Sequence, residues 1–117
     1  MKLLDTDLKV LEILWVQGDT SAKEISDMLT ETTGWNINTT YTVIKRCIAK
    51  GAIERIDPGF ICHALIAREQ AQLYETNALM DRLYGGSAEL LVASLVNSRK
   101  LSPEEMDRLS KLIDSYK

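Results

Sequence analysis

Apolar positions recur at helical spacing through most of the chain, and one short region breaks the pattern. Leu8, Leu11 and Trp15 share a stripe joined by Val10 and Leu14. That predicts a helix from about Asp5 to Val16, closed by Gln17-Gly18-Asp19. Ser21-Ala-Lys-Glu24 has the spacing of a capping box and opens a second helix. Its apolar face is Ala22, Ile25, Met28 and Leu29, and Thr32-Thr33-Gly34 stops it. A third helix is expected from about Asn38 to Lys50, with Gly51 as its stop. At 100° per residue, Thr40, Val43, Ile44, Cys47 and Ile48 gather on one side of it. Asn38, Thr42, Lys45, Arg46 and Ala49 gather on the other, with Thr39 and Tyr41 on the flanks.

The break follows at once. Ile53–Ile56 and Phe60–Leu65 read as strands around Asp57-Pro58-Gly59, a turn that Pro presets and Gly relieves. A lone hairpin is marginal, so it must pack on the helices. From Ala67 the helical spacing returns. Leu73, Met80 and Leu83 mark a helix from about Arg68 to Tyr84, and Gly85-Gly86 is a hinge. A fifth helix from Ser87 to Asn97 contains LLVASLV, apolar on nearly every side. Ser102-Pro103-Glu104-Glu105 supplies the N-cap, N1 and N3 signals of a sixth, with a stripe of Met106, Leu109, Ile113 and Tyr116.

The expected fold is mainly α with a small β-hairpin wing. Residues 1–66 read as a winged helix-turn-helix and residues 67–117 as a C-terminal helical dimerisation arm. Three short helices are too few for a separate core, and an all-round apolar helix needs cover on more than one side. A second chain supplies that cover most economically, with Leu91, Leu95, Val96, Met106, Leu109 and Ile113 as the contacts.

Charge sharpens this picture. The 117 residues carry a net charge of −3. Residues 1–34 hold three cations and seven anions, whereas residues 35–66 hold four cations and two anions. The helix-plus-hairpin is thus the only net-positive block, which is what a nucleic-acid face needs. Arg46 and Lys45 can donate to guanine or phosphate, and Asn38 can pair with adenine. Thr39 and Thr42 can reach phosphate or a thymine methyl, and Arg55 and His63 in the hairpin can meet phosphates. Tyr41 has two readings, packing on the wing or bonding phosphate. Double-stranded DNA is the expected partner. A protein-interaction module and a ligand-sensing regulator are the rival readings.

Other chemistry is poorly served. The one histidine, two cysteines and absence of a Gly-rich phosphate loop offer no catalytic constellation. Cys62 and His63 are strand neighbours facing opposite ways, so no metal site and no cofactor are expected. Cys47 falls on the apolar face and should be inert. No apolar run suits a signal peptide or a membrane span, so the expected location is cytoplasmic.

The order of blocks resembles the penicillinase-repressor-like regulators, the BlaI/MecI/CopY family. The resemblance rests on LKVLEILW at 8–15, SAKEISDML at 21–29, Trp35 followed by NTTYTVIKRCIAKGAI at 38–53, YGG at 84–86 and LSPEEMDRLSKLI at 101–113. It implies a homodimeric transcriptional repressor on dyad operators of antibiotic-resistance or copper-transport genes. It also implies that Thr39, Thr42 and Arg46 match the family's recognition-helix pattern. Two departures stand out. The Asn-Phe bond that a sensor protease cuts in some branches is absent, the stretch here being Val92-Ala93-Ser94-Leu95-Val96. The Cys-x-Cys tail of the copper branch is absent too. Neither a sensor-protease route nor a metal switch therefore has support in the sequence, and a small-molecule inducer has none either, since no pocket is legible in it.

Overall fold

A computed structural model describes residues 1–117, which order as α1 (Asp5–Gln17), β1 (Thr20–Ser21), α2 (Ala22–Thr33), α3 (Ile37–Ala49), β2 (Ile53–Ile56), β3 (Ile61–Ala64), α4 (Arg68–Leu83), α5 (Ala88–Asn97) and α6 (Pro103–Ser115). The chain forms two compact units, Met1–Tyr74 and Glu75–Lys117, and the division falls within α4.

The first unit is a winged helix. Two of its helices, α2 and α3, start where an N-cap side chain takes up a free amide. Ser21 Oγ accepts from the Glu24 amide at 3.1 Å, and Asn36 Oδ1 accepts from the Thr39 amide at 2.8 Å. Gly34 closes α2 in the left-handed conformation that the end of that helix requires. The three strands form an antiparallel sheet in the order β1-β3-β2. Its first member is two residues long, too short to leave any alternation in the sequence. It anchors the wing nonetheless, since Thr20 pairs with Cys62 and the Ala22 amide donates to the Phe60 carbonyl at 2.9 Å.

The core lies between the helices and the sheet. It joins Val10, Leu11 and Leu14 of α1, Ala22, Ile25 and Leu29 of α2, and Val43, Ile44 and Cys47 of α3 to Ile53 and Cys62 of the hairpin. The expected inner face of α3 is therefore the observed one. Ala71 is buried in the same cluster, so the first turns of α4 belong to this unit. Trp15 lies at the edge of the core and donates its indole N–H to the Ile66 carbonyl at 3.0 Å.

The second unit is different in kind. Ser87, expected as the first helical residue, instead caps α5, while Ser102 caps α6 as the sequence predicts and forms a reciprocal capping box with Glu105. Yet no residue from Glu75 to Lys117 is buried. Leu90, Val92, Leu95 and Val96 of α5 are exposed, as are Met106, Leu109, Leu112, Ile113 and Tyr116 towards the C-terminus. No helix of either unit is long and apolar enough to cross a membrane.

Candidate nucleic-acid interface

The outer face of α3 is polar, basic and unengaged. Asn38, Thr39, Thr42 and Lys45 are exposed, and none of their side chains is held by another protein group. No acidic residue occupies the first turn of the helix. An open row of amide, hydroxyl and ammonium groups on one helix can donate and accept at base edges or phosphates.

The wing is fixed beside this face by aromatic contacts. Tyr41 of α3 meets Phe60 edge-on, with ring centroids 5.6 Å apart and planes at 88°. Of its two sequence readings, the ring therefore packs on the wing. The Arg55 guanidinium lies over the same Phe60 ring at 3.8 Å, and its Nε donates to both oxygens of Asp57 at 3.1 Å. Gly59 has φ +96° at the tip, where a side chain would be strained. Helix, wing tip and β2 are thus linked through one phenyl ring.

Three cations assigned to DNA by the sequence already have protein partners. Arg55 is paired with Asp57, and both side chains stay about half exposed. His63 Nδ1 donates to Asp19 Oδ1 at 2.7 Å. That hydrogen bond and the Asp19 charge raise the His63 pKa above its ordinary value. Arg46 departs furthest from expectation. The wheel sets it beside Lys45 on the open face, but its guanidinium turns inward to α1. Nε and Nη2 donate to Asp7 Oδ1 at 3.0 and 2.7 Å, and Nη2 also donates to Thr6 Oγ1 at 2.6 Å.

Asp7 is the residue that sequence reasoning missed. Its side chain is fully buried. Its second oxygen, Oδ2, accepts from Lys50 Nζ at 2.5 Å and from the Leu4 amide at 2.8 Å. Burial alone would raise its pKa, but the bonds from Lys50, the Leu4 amide and Arg46 outweigh that and hold it at about 2. The signal was present in the pattern. Asp7 precedes Val10 and Leu11 by three and four residues, so it stands on the apolar stripe of α1, where a carboxylate requires partners. Of the cations in α3 and its cap, Lys45 alone is in no ion pair.

The cysteines and His63 are not grouped for metal chemistry. Cys62 points into the core while its neighbour His63 reaches outward to Asp19. Burial pushes the Cys62 thiol up to about 11. Burial, helped by the charge of Asp7, pushes Cys47 to about 12. Neither thiol forms a nucleophilic thiolate near neutral pH.

Comparison with known proteins agrees with this geometry. The family model of the penicillinase repressor matches residues 4–115. The chain is 24% identical to the penicillinase repressor of Bacillus licheniformis over 118 residues, covering 99% of this chain and 92% of that one. It is 23% identical to the methicillin resistance regulatory protein MecI of Mammaliicoccus sciuri over 115 residues, covering 97% and 94%. Among solved structures, it resembles the DNA-binding domain of the repressor BlaI determined in solution. That match has a TM-score of 0.54 and 26% identity, over 57% of this chain and 84% of that domain.

Proposed function

Because the chain belongs to the penicillinase repressor family, a family of DNA-binding regulators rather than enzymes, we propose that it is a cytoplasmic, homodimeric transcriptional repressor acting on a pseudo-palindromic operator. The operator would control an antibiotic-resistance or metal- or stress-response gene. One observation carries the reading: α3 keeps Asn38, Thr39, Thr42 and Lys45 exposed and unpaired, with the wing fastened beside them. In this arrangement α3 enters the major groove and the wing follows the backbone. Arg55 and His63 belong to the backbone-following part, where their half-exposed positions let them share a charge with phosphate.

The helical arm supplies the second half of the reader. With no residue buried after Tyr74, a free monomer would leave the apolar faces of α5 and α6 in water. Leu91, Leu95, Val96, Met106, Leu109 and Ile113 are the proposed dimer contacts. A two-fold dimer presents two recognition helices to half-sites spaced one or more helical turns apart, roughly 34–36 Å per turn.

Selection of bound duplexes from fragmented genomic DNA, followed by footprinting, tests this directly. A dyad footprint whose affinity falls steeply with salt supports it, since phosphate neutralisation releases counterions. A protein that retains no duplex at low salt would refute it. Lys45→Ala is expected to cost about 1–3 kcal/mol on the operator and to relax one base position, if Lys45 reads a base. Titration against operators substituted at single positions measures both. Unchanged binding would remove Lys45 from the interface.

A further inference from the structure

We infer that Asp7 and Arg46 are positioning residues: the buried carboxylate grips Arg46 and Lys50 and thereby sets the roll of α3 against α1, aiming Asn38, Thr42 and Lys45. This inference rests on the DNA-binding reading above and assigns Arg46 a task different from base contact.

The geometry is that of a two-point clamp. Arg46 and Lys50 lie one turn apart on the same side of α3 and its cap, and each takes a different oxygen of Asp7. Both are also tied elsewhere at the N-terminal end, Arg46 to Thr6 Oγ1 and Lys50 to the Lys2 carbonyl at 2.9 Å. One anchor would permit rotation about itself, but two anchors four residues apart fix the helix in roll as well as in height. The carboxylate is itself immobilised by the Leu4 amide and by complete burial.

Roll matters to a helix that reads base edges. At a helix radius of about 5–6 Å, a roll of about 15° carries a side-chain tip about 1.5 Å. Hydrogen bonds tolerate only a few tenths of an ångström. Apolar contacts between α1 and α3 resist separation but allow small rotations, because they are not directional. The Asp7 clamp is directional. Meanwhile the Nε–Nη2 edge of Arg46, one of the edges that would fork onto guanine, is occupied by Asp7.

The test uses the full-length protein and an operator selected by the wild type from random duplexes. Two variants, Arg46→Met and Asp7→Asn, are compared with wild type at a temperature where circular dichroism shows each folded. Arg46→Met is expected to lose about tenfold or more of its preference for operator over unrelated DNA. The relaxation should spread over every base position read by α3, while the slope of log affinity against log salt stays unchanged. Asp7→Asn leaves Arg46 chemically whole, yet should give the same relaxation, and the double variant should add little to either.

Three results would overturn the inference. A salt slope smaller by about one in Arg46→Met would make Arg46 a phosphate contact. Relaxation confined to one base position would make it a base reader. An unchanged operator preference in folded Asp7→Asn would reduce the clamp to a stability element. Should Arg46→Met fail to fold, Arg46→Gln, which keeps a polar end and loses both the charge and the fork, takes its place with the same expectations. Failure of the wild type to select any duplex would instead strike the DNA-binding reading itself.

Discussion

Leu95→Asp is expected to leave the protein monomeric and to weaken its hold on the operator by about 10²–10⁴-fold. Leu95 sits on α5, a helix with no buried residue in the single chain, among exposed Leu90, Val92 and Val96. A carboxylate placed in the contact between two such helices would have to be desolvated without a partner, or protonated to enter the apolar setting. Dissociation is the cheaper outcome. Two linked recognition helices bind the second half-site as an intramolecular event, and the loss of that linkage removes avidity of this size without touching a base contact. Sedimentation equilibrium and operator titration on the same samples measure both effects. A Leu95→Asp protein that remains dimeric would move the interface away from this face of α5. A monomer that binds as tightly as wild type would remove the need for a dimer.

The contrast between the two units explains what was legible in the sequence. In the first, apolar periodicity and capping residues agree, so α1, α2, α3 and the hairpin lie close to where the pattern sets them. Thr40, Val43, Ile44 and Cys47 turn inward as the helical wheel requires. β1 escaped because two residues carry no period, and its pairing with β3 depends on where the chain folds back. The helices of the second unit were equally legible, but their apolar faces lie uncovered in the single chain. The pattern marks those faces, and what covers them depends on contacts outside the single chain.

The outer face of α3 was less legible than the core, and the reason is side-chain length. A helical wheel places Cα positions, and Arg46 does begin on the outer face that carries Thr42 and Lys45. Its long side chain then folds back over the helix to a carboxylate on another element. Lys45 and Arg46 are adjacent in sequence and alike in charge, yet only Arg46 meets Asp7. Sequence could locate the cations but not decide which of them are already paired. The one available clue was the acidic residue on the apolar stripe of α1, which looks like a helix-start aspartate until its burial is known.

That aspartate carries the largest expected effect on stability: Asp7→Ala should lower the unfolding free energy by about 2–4 kcal/mol. The substitution strands three donors at once, the Leu4 amide and the side chains of Arg46 and Lys50. A sealed ion pair would cost more, but Arg46 and Lys50 remain 35% and 24% exposed, and their ends can turn to water. Against a total stability of about 5–15 kcal/mol this is a large share. Urea unfolding at fixed protein concentration checks it, the concentration being fixed because association adds to apparent stability. The same contacts set an acid limb. Asp7 titrates at about 2 in the folded protein, below its ordinary 3.8, so the unfolded chain takes up its proton first as pH falls. Its contribution, about 2 kcal/mol, is complete above that ordinary value and is lost as pH drops through about 2. Asp7→Asn cannot titrate there. Its stability should fall less steeply than that of wild type between about pH 4 and pH 2. If the two proteins lose stability in parallel over that range, the acid sensitivity belongs to other carboxylates and the clamp is weaker than its geometry implies.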